Sequence, residues 1–359
     1  MLSLLTFSKN DIEDVLGLSK SLMDVCDQIV IIDSSNPKMH NELLNKTKAY
    51  KNIEVYYTLP LGYADPLRMY GLSKCKNEWI LYLDTDERIN NEFAKDIKNI
   101  IKKDKDSNDA FAIKRYEEMK NETEKTSPMF TWQIRLFKKD KVNFKGILHE
   151  QAEVNGRLNM LDNKYYIAHM EALRHQGRNY GKMSIFEVFS YNDLNKVMKD
   201  YIRKAFALDE GTLKARMLYK ITNVFLKTYE KLTFKKMDNE ISRKDYLYFY
   251  FIRSCMFMFR QHKFYSLLRV WKDQKNYLEY LEKEREAVAD KYKIKRIDIF
   301  HISKIINEIG IIKYLGFDKL ENIDKLTKNY QKNIIKDKGI DLLIGLIVEK
   351  YRSNKKTQK

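Results

Sequence analysis

Trp79-Ile80-Leu81-Tyr82-Leu83-Asp84-Thr85-Asp86 is the stretch on which the fold turns. Its five apolar residues lie between Lys76-Asn77-Glu78 and a pair of acids. Such a run is too short for a core helix and fits a buried strand. A buried strand ending in two carboxylates puts both at its C-terminal edge, where open α/β sheets bind their ligands. Two carboxylates one residue apart can share a hard divalent cation, whose remaining ligands are waters and substrate phosphates. The same residues have a second reading, with Thr85 or Asp86 capping a helix that begins near Asn90. The local sequence leaves both open.

Working outward, the first 150 residues alternate between strand and helix patterns. Leu2–Phe7, Gln28–Asp33, Ile53–Tyr57, Trp79–Leu83 and Ala110–Lys114 read as strands. Asp11–Asp24, with Ile12, Val15, Leu16, Leu18, Leu22 and Met23 at helical spacing, reads as a helix, as do Asn41–Ala49, Leu67–Lys76 and Asn91–Lys102. This alternation indicates βαβ units and a mostly parallel sheet. Tyr116–Thr126 is polar and charged and predicts a mobile loop. Thr131–Phe137, Asn143–Phe144 and Ala152–Val154 predict short strands of an added antiparallel portion. From about Asn179 the period is helical, over Tyr180–Asn195, Val197–Leu208, Leu213–Tyr229, Arg243–His262, Phe264–Lys291, Ile297–Ile309 and Leu342–Tyr351, and Arg352–Lys359 predicts a frayed basic tail. The expected architecture is an α/β domain over 1–175, with a mixed, mostly parallel sheet flanked by helices, followed by an all-helical domain over 176–359.

The net charge of +17 is unevenly placed. Residues 1–170 carry 26 Lys+Arg and 26 Asp+Glu, so the whole excess lies in the second half. That half could face nucleic acid, an anionic membrane surface or a phosphorylated acceptor, or could reflect a Lys-rich composition alone. Tyr246–Trp271 interleaves aromatics with Arg253, Arg260, His262, Lys263 and Arg269, a pattern that suits a membrane interface or a buried helix with snorkelling cations. Nucleic acid is disfavoured, because the aromatics are continuous rather than spaced as a stacking platform. Cys26, Cys75 and Cys255 lack metal-ligand spacing and read as small buried hydrophobes in a reducing compartment. No basic n-region precedes Met1–Phe7, and no apolar run reaches membrane-spanning length. The expectation is a cytoplasmic protein, with peripheral contact to the inner face of a membrane as a further option.

Several segments then fall into one order: Leu4-Leu5-Thr6-Phe7-Ser8-Lys9-Asn10, Ile29-Val30-Ile31-Ile32-Asp33-Ser34-Ser35, Gly62 with Arg68-Met69-Tyr70-Gly71-Leu72, the Asp84-Thr85-Asp86 strand, and Arg135-Leu136-Phe137 followed by Gly146-Ile147-Leu148-His149-Glu150. Read together, the first 170 residues resemble family-2 glycosyltransferases of the GT-A type, and the last two segments resemble a subgroup that includes lipopolysaccharide-core glucosyltransferases. Two departures stand out. Ser35-Asn36-Pro37-Lys38 replaces the Gly/Ser-rich residues usual after the second strand, and Met69 stands where Asn is common.

The resemblance implies an inverting transfer from a nucleotide-diphosphate sugar, UDP-sugar before GDP-sugar, to a hydroxyl of a glycan, a lipid-linked acceptor or a protein. It implies a Mg²⁺ or Mn²⁺ ion that neutralises the leaving diphosphate. Asp86 would be the direct metal ligand, Asp84 would contact the ribose or reach the metal through water, and His169 would be a further ligand. Thr6 lies in the nucleotide-contacting segment, Asp33 would face the base or ribose, and Arg68 would place positive charge near the diphosphate. Glu150 would be the base that deprotonates the acceptor, with His149 orienting it, touching a phosphate or binding the metal. Each has a plainer alternative: a helix-surface Arg for Arg68, a strand-end Glu for Glu150, a structural His for His169. Trp132 could stack on a sugar, and a core position is the expected one.

Other chemistries lack their signatures. The chain has no Walker-type loop, no Gly-x-Gly-x-x-Gly after the first strand, no zinc-ligand spacing and no Gly-x-Ser-x-Gly elbow. The alternative function is a basic nucleic-acid- or anionic-membrane-binding protein with a vestigial α/β half, which the altered segment Asn36-Pro37-Lys38 favours.

Overall fold

The computed structural model describes residues 1–104, 107–121, 123–124, 130–146, 150–170, 189, 283–332, 335 and 339–357. His149, Tyr246–Trp271 and most of the helices expected between 180 and 282 lie outside the described residues.

The strands are β1 (Leu2–Ser8), β2 (Gln28–Asp33), β3 (Ile53–Tyr57), β4 (Trp79–Tyr82), β5 (Glu87–Ile89), β6 (Ala110–Met119), β7 (Phe130–Lys138), β8 (Val142–Asn143), β9 (Glu153–Val154), β10 (Leu158–Met160) and β11 (Tyr166–Met170). Nine of them form one sheet in the order β3-β2-β1-β4-β7-β6-β11-β5, with β10 beside β6. The first four are parallel; β7 turns antiparallel to β4, and β6 antiparallel to β7. This is the expected mixed α/β sheet, of GT-A type, with a helical C-terminal region.

Alternation along the strands assigns the faces. Leu2, Leu4, Ile29, Ile31, Trp79 and Leu81 join one core with α1 (Ile12–Ser21) and with Phe93, Ile97 and Ile101 of α4 (Asn91–Asp104). Each of these large side chains contributes roughly 1.5–3 kcal/mol by leaving water. The opposite face carries α3 (Arg68–Lys74), where Gly71 lies against Leu5, Phe7 and Ile32. Strand interiors buried on both sides explain why these segments read as continuous apolar runs.

Four expectations change. First, α2 runs over Pro37–Thr47, four residues earlier than its apolar spacing suggests. Asn36 accepts from the Met39 amide and Pro37 occupies the first turn, so the segment that departs from the family pattern is a capped helix start. Second, Asp84-Thr85-Asp86 caps no helix, because β5 intervenes before α4. Third, Tyr116–Met119 is not loop but the end of β6, paired with β7 at Tyr116↔Phe130. Fourth, Arg352–Thr357 is not frayed; it completes a helix over Ile340–Thr357.

The described C-terminal helices are a segment over 283–291, α5 (Arg296–Ile309), α6 (Ile311–Leu315), α7 (Leu320–Gln331) and α8 (Ile340–Thr357). The chain divides into two compact units, Met1–Arg178 with Gly310–Lys350, and Asn179–Ile309 with Tyr351–Lys359. Residues 310–350 therefore return to the α/β unit, which the sequence had ended at 175. Leu59 donates its amide to Thr327, the Tyr70 hydroxyl donates to Asp324, and the Gly339 amide donates to the Pro60 carbonyl. In the second unit Asp298 accepts from Tyr351 and pairs with Lys355 at 2.7 Å. Among the described residues no helix is long and apolar enough to cross a membrane.

Candidate active site

The chain leaves β1 toward β2 and β3, then returns on the other side of β1 as β4. The C-terminal ends of β1 and β4 flank this reversal of strand order, the place where sheets of this kind bind ligands. Asp11 joins the two ends. Its Oδ1 accepts from the Ser8 hydroxyl and the Lys9 amide, and its Oδ2 accepts from the Thr85 hydroxyl at 2.6 Å. Thr85 is thereby the anchor of the acidic turn, and the two flanking carboxylates are left for other partners.

Asp84 and Asp86 diverge. Asp84 is 41% exposed, and its Oδ2 lies 2.7 Å from Arg135 Nη2, while the Tyr82 hydroxyl donates to Oδ1. Burial alone would raise this carboxyl; Arg135, Arg115 and Arg68 outweigh it and hold the group well below the usual carboxylate range. The same Arg135 Nη2 contacts Glu87 at 2.7 Å, and Arg115 reaches Glu87 at 2.9 Å. Glu87 is fully buried, so two guanidinium groups compensate a charge that would otherwise be costly to bury. Tyr82 underlies the cluster, with Arg135 4.5 Å and Arg68 5.3 Å from its ring centre.

Asp86 turns to the other side. β5 pairs antiparallel with β11 through Ile167↔Ile89 and His169↔Glu87, and the Met170 amide donates to the Asp86 carbonyl. This register brings His169 Nε2 to 3.2 Å from Asp86 Oδ2, both side chains being largely buried. His169 stands within a strand rather than after one. One carboxylate from the turn before β5 and one imidazole from β11 form a two-donor set. No group of three or more such ligands occurs among the described residues. Two protein donors suit a divalent ion whose other ligands are substrate phosphates and water.

Glu150 lies in a cavity of about 190 Å³ with Arg68, Tyr82, Asp84, Arg135 and Gln151. Its two carboxylate oxygens accept from the Lys145 and Gly146 amides at 2.8 and 2.7 Å. Burial pushes its pKa up to about 7, against the pull of Arg68 and the two amides. Arg68 donates to the Glu150 carbonyl, pairs with Asp65 at 2.9 Å and packs on Phe144. It is an inward-facing residue, not a helix-surface one.

The two remaining expected contacts are placed differently. Thr6 is buried inside β1, and its hydroxyl has no partner among the described residues. Asp33 is fully buried, with Oδ1 accepting from Ser35 and Oδ2 2.7 Å from His40 Nδ1, whose ring lies tilted against that of Tyr57. Trp132 is half-buried beside Phe130 and Lys114 rather than in the core. Arg135, Arg115, Glu87 and Asp11 carried no assigned role in the sequence. Arg135 stood in a motif of the family resemblance, and Arg115 and Glu87 are strand charges that pair with an opposite charge on a nearby strand.

The mixed sheet is thus of GT-A type, with acids at its switch point and a polar cavity beside them. Residues 6–157 match the model of Glycosyl transferase family 2, the match on which a glycosyltransferase reading of the chain rests. No curated protein matches the chain. Among solved structures, S. aureus TarS 1-349 is similar at 14% identity and a TM-score of 0.40, over 86% of this chain and 91% of that one. S. aureus TarS 1-349 in complex with UDP-GlcNAc is similar at 15% identity and a TM-score of 0.40, over 92% of each chain.

Proposed function

We propose that the protein is an inverting, divalent-metal-dependent glycosyltransferase that moves a sugar from a nucleoside diphosphate, UDP before GDP, to an acceptor hydroxyl of a glycan, glycolipid or protein. The Arg135-Leu136-Phe137 and Gly146…Glu150 spacing supports a place near the lipopolysaccharide-core subgroup. The observation that carries the reading is one cavity holding two carboxylates with opposite environments. Asp84 is kept ionised by Arg135, while Glu150 is kept near neutrality by burial. Carboxylates driven apart in this way divide acid–base labour.

Glu150 takes the proton of the acceptor hydroxyl as that oxygen attacks the anomeric carbon. The bond from that carbon to the diphosphate oxygen breaks on the opposite face, so configuration inverts. A proton affinity near neutrality lets Glu150 both accept the proton and release it to solvent after transfer. Asp86 and His169 are the residues that would hold the cation, which supplies neutralisation of the charge building on the leaving diphosphate. Asp84, oriented by Arg135 and Tyr82, accepts hydrogen bonds from the donor's hydroxyls. Arg68 and Arg135 supply fixed positive charge that needs no reorganisation during the reaction.

The test is nucleoside diphosphate release from UDP-, GDP-, CDP- and dTDP-sugars with Mn²⁺, for the wild type and Asp86→Ala. One donor should turn over, and the variant should lose that turnover while melting as a folded protein. Equal turnover in the variant contradicts the metal assignment. Absence of both turnover and nucleotide-induced stabilisation across the panel contradicts the function.

A further inference from the structure

Residues 310–350 lie far from the family motifs in sequence, yet they pack with the unit that holds them. Their first contact is with Lys145 and Gly146, whose amides bond to Glu150. The Ile312 amide donates to the Lys145 carbonyl at 3.1 Å. Gly310, at φ +82°, is so close that a Cβ there would lie 2.6 Å from the Lys145 Cβ and carbonyl oxygen. Gly146, at φ +77°, lies under the Ile312 side chain, and a Cβ on it would lie 2.9 Å from Ile312 Cγ1. The Tyr63 hydroxyl donates to the Gly146 carbonyl at 3.0 Å. The Lys145 and Gly146 amides are the two donors that cradle the Glu150 carboxylate. Lys145 and Gly146 are thus held by both Tyr63 and the start of α6, and their amides hold the carboxylate of Glu150, which lines the cavity.

We infer that Gly310 and Ile312 are positioning residues, through which the returning C-terminal segment holds the Lys145-Gly146 turn and so sets where Glu150 stands in the active site. The inference rests on the reading of Glu150 as the base. The physical ground is the steepness of catalysis with position, since a misplacement of about 1 Å costs about 100-fold in rate. The backbone bond from Ile312 to Lys145 survives substitution, whereas the side chain over Gly146 can be trimmed in steps. Ile312 is almost fully buried.

The experiment is a graded series, Ile312→Val and Ile312→Ala, each also combined with Glu150→Gln, measured as steady-state transfer with the full-length protein. Ile323, equally buried in the same returning segment, supplies the matched control through Ile323→Val and Ile323→Ala. We expect kcat to fall about 3-fold for Ile312→Val and about 30- to 100-fold for Ile312→Ala, with donor KM within 2-fold. The Ile323 variants should melt at lower temperature with kcat unchanged. In the Glu150→Gln background the Ile312 changes should add no further loss, because they act through a group already removed. If Ile312→Ala does not fold, the Val step and its double variant decide. A kcat unchanged in Ile312→Val and Ile312→Ala, or one lowered equally by the Ile323 changes, or a full additional loss in the double variants, overturns the inference. A Glu150→Gln protein that keeps wild-type kcat overturns the reading of Glu150 itself, and the inference with it. An inactive Glu150→Gln beside a wild-type Ile312→Ala leaves the base standing and removes only the positioning role.

Discussion

Glu150→Gln separates the chemistry of the site from its architecture. The carboxyl has a pKa of about 7 in the fold against 4.5 in its absence, a difference worth about 3 kcal/mol. The folded state holds the proton more tightly, so this group's contribution to stability is complete below pH 4.5 and is lost as pH rises through 7. Glutamine cannot ionise and abolishes that slope. It keeps one good acceptor for the Lys145 and Gly146 amides and turns an amide NH₂ toward the other donor, which costs about 1–3 kcal/mol. At pH 8 the two effects nearly cancel, and the variant should unfold in urea within about 1–2 kcal/mol of the wild type. Catalysis should not survive so well, because loss of a positioned base costs about 10²- to 10⁴-fold. Nucleoside diphosphate release from pH 5.5 to 8.5 checks both points. Wild-type kcat/KM should climb with an apparent pKa near 7, and the variant's residual rate should lack that limb. A wild-type profile flat across this range, or a variant retaining more than about a tenth of the rate, would refute the reasoning.

Three further outcomes follow from the geometry. Asp86→Ala and His169→Ala should each abolish the Mn²⁺-dependent part of nucleotide-induced stabilisation, read as a melting shift with and without chelator; a shift that persists in both excludes the Asp86–His169 pair as the cation site. Arg135→Met removes one of two cations from the fully buried Glu87 and frees Asp84, so it should cost about 3–5 kcal/mol in urea unfolding, whereas Arg135→Lys should recover part of that stability but not the shared contact to both acids. Asn36→Ala should cost about 1 kcal/mol through the lost helix cap while leaving donor KM unchanged; a large rise in KM would mean that the segment after β2 contacts the nucleotide directly.

How much of this was legible in the sequence depended on sequence separation. The strand Trp79–Tyr82 and its acids could be read because burial on both faces makes a continuous apolar run, and the acids follow immediately. Asp86 and His169 could be named, but their meeting depends on the β5–β11 register, which no local pattern sets. Arg135 lies 51 residues from Asp84 and 48 from Glu87, so its place as the shared cation follows only from the pairing of β4 with β7. The Leu59–Thr327 bond spans 268 residues. The charge contrast between the halves is real, but its border is not at 170. Residues 310–350 carry eight lysines and six acids, a nearly balanced content like that of the unit they join. A composition shift marks where the average changes along the chain. It cannot report that a segment crosses back, because return is decided by shape: a Gly146 and a Gly310 flat enough for two backbones to touch, and an Ile312 that fills the space between them. The glycines and the isoleucine were visible as letters; what made them part of the site was their juxtaposition, which only the folded chain supplies.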